Sequence, residues 1–279
     1  MGSDKSILYM ITIDIGTNGR YGNQMFQYAA MIGIATKQGL NYGVDYKKNG
    51  DSQTWDKFHT DNTYLQLAVN KPFNLSAPQV DVEYPTINEG GFNFNETLFH
   101  TGDNVKLRGY FQTVKYFEHC QDLIRKEFTF KKEITDVSNQ FLENKRDHET
   151  VSIHVRRCDY LKYTWHGICD IQYYTKAITN HFSDKSYNFI VITDDIAWCK
   201  STFVGNNNFS ISESGNQFVD MSIMSMCDHH IIANSTFSWW GSWLNNNPNK
   251  KIVAPATWFR EHLSKQNTKD LYLSSWIIV

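Results

Sequence analysis

The stretch Val151-Ser152-Ile153-His154-Val155-Arg156-Arg157-Cys158-Asp159-Tyr160 opens with apolar residues at every second position, which predicts a strand that ends at two arginines. Downstream, predicted strands alternate with predicted helices. The helices are expected at 171–182, 196–202, 218–227 and 236–244, and the strands at 189–193, 208–212, 230–233 and 251–254. This alternation is typical of parallel βαβ units, so we expect an α/β fold.

Polar segments follow several of these strands. In parallel sheets, ligands bind beyond the carboxyl ends of the strands. Residues 154–160, 193–195 and 234–238 lie at such ends, and Asp220 lies near the start of a helix between two of the strands. We therefore expect the functional site of the second half of the chain at this edge.

The amino-terminal part repeats the arrangement once. Residues 7–15 are rich in β-branched and apolar side chains, which predicts a buried strand. A turn rich in glycine and asparagine follows at 16–22, and a helix is expected from 23 to 37, ending at Gly39. This order aims backbone N–H groups at a ligand. The pattern weakens over 41–104, where we expect loops, short strands and a variable insertion.

The length of 279 residues suits two domains. We place them at 1–140 and 141–279, with the carboxyl-terminal tail packing back on the first. With 27 basic and 29 acidic residues, no global field attracts nucleic acid or a membrane surface. A phosphate-bearing ligand would therefore need local basic residues.

Five scattered cysteines without a CxxC pair indicate neither a disulfide framework nor a zinc ribbon, and they favour a reducing, cytoplasmic location. The longest early apolar run, 7–15, is too short to span a bilayer. The opening Met1-Gly2-Ser3-Asp4-Lys5-Ser6 matches the N-myristoylation pattern, but Gly-Ser after Met also often comes from cloning, and both explanations stay open.

The adjacent residues Arg156 and Arg157 are candidates for binding phosphate. Neighbouring side chains on an extended chain point opposite ways, so only one of them faces a given ligand. A guanidinium can grip a phosphate with two hydrogen bonds. We predict that one arginine neutralises a diphosphate while the other pairs with a carboxylate, with Asp159 as the candidate. A surface pair of salt bridges is the alternative.

Asn234-Ser235-Thr236-Phe237-Ser238-Trp239-Trp240-Gly241 joins a strand to a helix through hydroxyl residues. Ser235 or Thr236 is a natural N-cap, and a helix start of this kind is also an anion site. For Trp239, Trp240 and Trp243 we expect core packing rather than a platform for a sugar.

Two segments contain residue types that can bind metal ions. Thr193-Asp194-Asp195 lacks the Asp-x-Asp spacing of metal-dependent transferases, so a helix cap and a ribose or base contact are expected there. Cys227-Asp228-His229-His230 holds three ligand types, but four consecutive residues cannot all face one ion. We predict no metal site.

Three segments together resemble a known family. Gly19-Arg20-Tyr21-Gly22-Asn23-Gln24-Met25-Phe26-Gln27-Tyr28-Ala29 resembles the amino-terminal signature of the α-1,2-fucosyltransferases, glycosyltransferase family 11. Residues 154–160 look like its His-x-Arg-Arg-Gly-Asp-Tyr motif, with Cys158 in place of the usual glycine, and 220–243 are similar to its carboxyl-terminal nucleotide motif. These motifs occur in the expected order.

The resemblance implies a GT-B-like fold with two Rossmann-like domains facing each other across a cleft. The acceptor would contact the first domain and GDP-fucose the second. It implies inverting, metal-independent transfer of L-fucose from GDP-β-L-fucose to a hydroxyl of an oligosaccharide acceptor, with O2 of a terminal galactoside as the expected position. No cofactor is implied beyond this donor substrate.

The resemblance also assigns residues. Arg156 would hold the β-phosphate, with His154 beside the diphosphate. Asp220 would bind the guanine edge, because a carboxylate can accept from both N1–H and the exocyclic amine. The other residues implied on the donor side are Asp194, Asn234, Ser235, Thr236, Ser238, Gly22 and Asn23, and those on the acceptor side are Asn23 and Gln24.

Catalysis would depend on charge stabilisation. As the C1–O bond breaks, Arg156 and the helix start would stabilise the charge that grows on the β-phosphate. The attacking hydroxyl must lose a proton, and Asp159 is the candidate base. Because the family has glycine at the position of Cys158, either the turn accommodates a side chain or activity is altered.

Two other functions stay open. One is a fucosyltransferase of different linkage, α-1,6 or peptide O-fucosylation, although the Met-Phe-Gln-Tyr-Ala continuation after Gln24 favours the α-1,2 group. The other is a catalytically silent protein that binds a nucleotide sugar or glycan, against which the paired arginines argue. A dehydrogenase is disfavoured, since no Gly-x-Gly-x-x-Gly opens the first helix.

Overall fold

The computed structural model describes residues 9–15, 19–45, 69–203 and 208–279. The myristoylation-like start, the 16–18 part of the expected glycine turn, and the 46–68 part of the weak region lie outside these ranges. The chain divides into two compact units. The first comprises the described residues up to Thr129 with Asn267–Leu271, and the second comprises Phe130–Gln266 with Tyr272–Val279. Within the described ranges, no helix has the length and apolar character needed to cross a membrane.

The first unit is built on a four-stranded parallel sheet with the strand order β2-β1-β4-β3. The strands are β1 (Met10–Asp14), β2 (Asn41–Asp45), β3 (Thr86–Asn88) and β4 (Val105–Arg108). The helices are α1 (Tyr21–Gln38) and α2 (Gln121–Glu127), with 3-10 helices at Glu96–His100, Val114–Tyr116 and Glu118–Cys120. All of β1 is buried, so the predicted buried strand is confirmed over these residues.

Helix α1 is the central helix of the first unit. From Tyr21 to Ala35 it is buried at every residue except Asn23. It ends at Gly39, whose φ of 67° and N–H bond to Thr36 O close the last turn, which confirms the predicted end of the helix. At Gly33 the helix lies so close to the backbone of Tyr116 that an added Cβ would be 2.0 Å from the Tyr116 carbonyl oxygen.

The second unit is built on a six-stranded parallel sheet with the order β10-β9-β8-β5-β6-β7. The strands are β5 (Glu149–Val155), β6 (Tyr187–Thr193), β7 (Phe209–Ile211), β8 (His229–Ile231), β9 (Ile252–Ala254) and β10 (Ile277–Ile278). The helices are α3 (Lys132–Leu142), α4 (Ile171–His181), α5 (Ile196–Thr202), α6 (Gln217–Met226) and α7 (Thr236–Leu244), with 3-10 helices at Thr164–His166 and Glu261–Leu263. The predicted alternation and the α/β class are confirmed.

Both faces of the second sheet are covered. Val151, Ile153 and Val155 belong to the core on one face, whereas Ile190 and Ile192 belong to the core on the other. Strands buried on both faces are typical of parallel sheets flanked by helices. The tryptophans of α7, Trp239, Trp240 and Trp243, are buried, which confirms core packing over a sugar platform.

The boundary between the units follows Thr129, so the expected boundary at 140/141 is wrong. Helix α3 spans the expected boundary and packs within the second unit, where the Ser138 hydroxyl lies 3.4 Å from Val219 O. Leu142 at the end of α3 is fully buried in the same core. The apolar stripe of an amphipathic helix shows that it packs on something, but not on which unit.

The carboxyl-terminal tail is divided between the units. In the first unit, Asp270 accepts hydrogen bonds from Lys115 Nζ at 2.5 Å and from the Phe94 N–H at 3.1 Å. Strand β10 instead pairs with β9 in the second unit. The expectation that the tail packs back on the first unit therefore holds only for Asn267–Leu271.

Alanine substitutions at Gly33, inside α1, and at Gly39, at its cap, should lower the free energy of unfolding by different amounts. Gly39→Ala should lower the free energy of unfolding by about 1 kcal/mol, because its positive φ is strained for alanine while the space around it is open. Gly33→Ala should cost more than the ~1–3 kcal/mol usual for overpacking, because the Cβ meets backbone. Urea unfolding measures both, and equal losses would contradict the close approach at Gly33.

Candidate active site

The first arginine after β5 is held by two carboxylates. Arg156 Nε lies 2.8 Å from Asp159 Oδ1 and 3.3 Å from Asp194 Oδ2, and all three side chains are partly buried. Burial opposes the charge, but Asp159 and Asp194 outweigh it and raise the pKa of Arg156. The guanidinium is therefore a fixed cation at the carboxyl edge of the sheet.

The second arginine has a different carboxylate. Arg157 Nε lies 3.1 Å from Asp195 Oδ2, and its guanidinium stacks 4.1 Å from the centroid of the Trp198 ring. The sequence-based pairing of the second arginine with Asp159 is therefore wrong, since Asp159 contacts Arg156. The reason is that Asp159 lies in a turn that folds back toward the strand end, while the end of β6 supplies the partner of Arg157.

The register of β5 and β6 brings these groups together. Val155 lies opposite Thr193, so the residues that follow the two strands are neighbours. The Arg157 N–H donates to Asp194 Oδ1 at 2.8 Å, and Asp195 caps α5 by accepting from the Trp198 N–H at 3.1 Å. The predicted helix cap is thus confirmed at Asp195. The ribose or base contact of Asp194 stays a prediction.

Cys158 fits the turn that carries these residues. In the described ranges, the residues other than glycine with positive φ are Asn104, Phe111 and Glu261, so Cys158 does not occupy the left-handed region. Its Sγ lies 2.9 Å from Asp194 O. The turn therefore accommodates a side chain where the related motif has glycine.

His154, near the end of β5, is buried. Its side chain packs on Phe237, with ring centroids 5.2 Å apart, and the residue is only 4% exposed. Burial, followed by the charge of Arg156, lowers the pKa of His154 to about 3, against the weaker opposite effect of Asp159. The imidazole is therefore neutral at physiological pH.

Two residues at the start of α7 are part of the scaffold. The Asn234 side-chain amide donates to Gly167 O at 3.3 Å and to Trp258 O at 2.9 Å. Ser238 is fully buried, and its hydroxyl lies 3.1 Å from Ser235 O. Both side chains therefore bond within the protein, and the expected donor contacts of Asn234 and Ser238 stay predictions.

Ser235 and Thr236 remain as candidates for ligand contact. Ser235 occupies the N-cap position, but its side chain makes no capping bond. Thr236, the first residue of α7, is partly exposed. Together with the N–H groups of the first turn, they give this edge a set of hydrogen-bond donors.

Asp220 lies on α6 and is oriented by two serines. Its Oδ1 accepts from Ser212 Oγ at 2.6 Å and from Ser214 Oγ at 2.8 Å. Burial raises the pKa of Asp220, and the two serine hydroxyls oppose that rise. The carboxylate is thus held in one orientation at the first turn of a helix.

Three residues of the amino-terminal motif, Gly22, Asn23 and Gln24, also differ in how far they are buried. Gln24 is 1% exposed, and its Oε1 accepts from the Val69 N–H, so its side chain bonds within the protein, and its acceptor contact stays a prediction. Gly22 is also buried. Asn23 is partly exposed, and its Oδ1 accepts from Gln112 Nε2 at 2.9 Å. Of these three residues, Asn23 is the one that is not buried, so it is the best placed to contact a ligand.

The run Cys227-Asp228-His229-His230 is not arranged around one point. Asp228 bonds Thr150, His229 bonds Glu149, and His230 lies between Ser152 and Asn245. Across the part of the chain that the structure describes, no group of three or more His, Cys, Asp or Glu side chains could hold a metal ion.

One contributor at this edge was not identified from the sequence. Tyr160 donates to Asn234 O at 2.9 Å and stacks on His166 with 4.5 Å between ring centroids. It also lies under the Arg156 guanidinium at 5.7 Å. Its position as the last residue of the 154–160 motif was the available signal.

The chain is similar to known proteins both in sequence and in fold. An α-1,2-colitosyltransferase of Escherichia coli is 30% identical to this chain, over 93% of this chain and 96% of its own length. Mouse galactoside α-(1,2)-fucosyltransferase 1 is 24% identical over 84% of this chain and 63% of its own length.

The fold is similar to that of the fucosyltransferase NodZ from Bradyrhizobium, with a TM-score of 0.56 and 13% identity over 85% of this chain and 92% of that one. NodZ, an α-1,6-fucosyltransferase, has also been co-crystallized with GDP. This chain is thus an α/β protein with parallel sheets and a GT-B-like fold. The family model of glycosyl transferase family 11 matches residues 4–279, and the chain belongs to that family.

Proposed function

We propose that the chain transfers L-fucose from GDP-β-L-fucose to O2 of a terminal galactoside, with inversion and without a metal ion. Membership of glycosyl transferase family 11 and the relatives named as α-1,2-transferases support the reaction class. The observation that carries the proposal is Arg156, which Asp159 and Asp194 hold at the carboxyl edge of β5 and β6.

The arginine would act on the leaving group. In the transfer, the C1–O bond to the β-phosphate breaks, GDP leaves with the electron pair, and the acceptor oxygen bonds C1 from the opposite face. Because Arg156 Nε faces its carboxylates, the Nη edge of the fork would be the one that binds a phosphate. Arg156 and the α7 start would take up the developing charge, so a metal is not needed.

His154 would assist as a neutral group. A buried imidazole whose pKa is lowered to about 3 adds no second cation beside Arg156. One ring nitrogen of a neutral imidazole is a hydrogen-bond donor. We propose that His154 donates to the diphosphate.

Asp159 has two candidate roles. The sequence suggested that it is the general base, which must lie near the attacking hydroxyl. Its 2.8 Å contact with Arg156 supports a second role, in which it orients the guanidinium. In an inverting displacement the base lies opposite the leaving group, so we favour the orienting role for the carboxylate that contacts the phosphate-binding arginine.

Asp220 would select guanine. Ser212 and Ser214 both bond Oδ1, which fixes the plane of the carboxylate. A carboxylate in a fixed plane can accept from the N1–H and the exocyclic amine of guanine, a pair that uracil and cytosine do not present.

A colitosyl donor is the second candidate, because the E. coli relative named for that sugar is 30% identical. Colitose is fucose without the hydroxyl on C3, so the bonds that break and form at C1 are the same for both sugars.

The five cysteines are all free thiols, which supports the proposed reducing, cytoplasmic location.

The function is tested by assaying GDP-fucose and GDP-colitose with a panel of galactosides, with and without EDTA. We expect an α-1,2-linked fucoside, equal rates with EDTA, and no product from the matched 2-deoxygalactoside. Faster transfer of colitose would assign the second candidate. Absence of transfer from either donor would refute the proposed reaction, and loss of activity in EDTA that one metal restores would refute the metal-free mechanism.

Base selectivity should depend on Asp220. Asp220→Asn keeps an acceptor for the serines but removes the charge, and it should weaken GDP binding about 10- to 100-fold. Titration calorimetry with GDP, UDP and CDP measures this, and Ser214→Ala is the control, which should have a smaller effect. Comparable affinities of the wild type for GDP and UDP would contradict the assignment.

The two arginines should differ in function. Arg156→Lys keeps a cation but loses the fork, so the turnover number should fall by on the order of 10²-fold. Arg157→Lys should leave turnover within a few-fold and lower stability by about 1 kcal/mol, because it weakens the contacts with Asp195 and Trp198. A normal Arg156→Lys together with a folded but inactive Arg157→Lys would reverse the two roles.

A further inference from the structure

The loop that follows β4 contains strained backbone. Phe111 has a φ of +54°, which is unusual for a large side chain, and its buried ring packs on Tyr116 at 5.5 Å. The Thr113 N–H donates to Phe111 O at 2.8 Å, so the chain turns tightly about Gln112. Such strain persists only where the surroundings impose it, and it clusters at functional sites.

A buried carboxylate imposes this conformation. Glu89, directly after β3, accepts from the N–H groups of Tyr110 at 2.9 Å and Phe111 at 2.7 Å. A Cβ at Gly109 would lie 2.7 Å from Glu89 Oε2, so only glycine lets the carboxylate reach the loop. From α1, Gln27 Nε2 donates to Gly109 O at 3.1 Å.

Burying the carboxylate of Glu89 costs free energy. Glu89 is 5% exposed, and burial raises its pKa to about 7, although the N–H groups of Phe111 and Tyr110 oppose the rise. Burying an acid in this way costs free energy that a neutral side chain would not. The loop is therefore held at a cost in one particular conformation.

That conformation places Gln112 against Asn23. Gln112 is buried, and its Nε2 donates to Asn23 Oδ1 at 2.9 Å. On the other side of the Asn23 amide, a Cβ at Gly19 would lie 1.9 Å from Nδ2, and Gly19 has a φ of +83°. Because Gln112 engages the oxygen, the Asn23 carboxamide is left with Nδ2 as its donor, and Gly19 leaves room for that group.

We propose that Glu89 is a positioning residue for substrate binding. Through the Gly109–Thr113 loop and Gln112, it orients Asn23 so that Nδ2 donates a hydrogen bond to a hydroxyl of the acceptor sugar. Asn23 is suited to this contact, because it is the residue of Tyr21–Ala35 that is not buried. The identity of the acceptor rests on the proposed function, but the orientation of Asn23 does not.

Kinetics test the relay through a double-mutant cycle. Gln112→Ala and Glu89→Ala should each raise the KM for the acceptor about fivefold, the loss of one neutral hydrogen bond, with an unchanged KM for GDP-fucose. In an Asn23→Ala background neither substitution should have a further effect. Glu89→Gln keeps an acceptor oxygen for the loop and should restore a nearly normal KM. Additive effects, or a change confined to the KM for the donor, would overturn the proposal.

Glu127 offers a matched control. It is a second buried glutamate of the first unit, and it accepts from Tyr28 Oη at 2.6 Å and from the Ser76 N–H at 2.7 Å. Glu127→Ala should lower stability without changing the KM for the acceptor. An equal rise in KM for Glu127→Ala would show that general destabilisation explains the effect, which would also overturn the proposal.

A measurement without catalysis separates the two proposals. In protein labelled with ¹⁵N-asparagine, the side-chain resonances of Asn23 are assigned by their loss in Asn23→Ser. Glu89→Ala and Gln112→Ala should both shift them, and Glu127→Ala should not. Unchanged resonances in Glu89→Ala would refute the positioning role whatever the substrate is. Shifted resonances in a protein that transfers no fucose would refute the proposed reaction and leave the positioning of Asn23 intact.

Discussion

The parallel pairing of β5 with β6 is the constraint on which the candidate active site depends. Because Val155 lies opposite Thr193, the residues that leave the two strands meet at once. Two arginines follow one strand and two aspartates follow the other, so ion pairs form without a long loop to place them. Removing one partner of such a partly buried pair would leave a charge uncompensated, which is more costly than never having buried it.

The polar groups around this ion network bond within the protein. Asn234 and Tyr160 bond backbone carbonyls, and Ser238 bonds its own helix. These groups hold the segments that carry Arg156 and the start of α7. A few side chains would therefore contact the substrate, while a larger polar set keeps them within the narrow geometry that catalysis requires.

The first unit obtains its precision from the backbone instead. At Gly33 and Gly109 the absence of a side chain allows two segments to approach more closely than any Cβ would permit. The close approach at Gly109 brings Glu89 against the strained loop at Phe111. Substitutions at these glycines would act on the site from a distance, because they move whole segments rather than single contacts.

The sequence alone determined the order of strands and helices in the second half, the burial of β1, and the end of α1 at Gly39. These features depend on periodicity and on residue conformational preference, which act within a few positions along the chain. The same local reasoning located Arg156, Asp194 and Asp220 at strand ends and helix starts, and the motif from 154 to 160 indicated the family.

Only the tertiary structure decided that Asp159 pairs with Arg156, that Gln24 and Ser238 are internal, and that α3 belongs to the second unit. It also decided that Glu89 supports the loop beside Asn23. The physical reason is that each of these outcomes depends on contacts between segments far apart in the chain. Arg157 and Asp195 are 38 positions apart, and Asn23 and Gln112 are 89 apart. Pairing over such separations follows from strand register and packing, which no local pattern encodes.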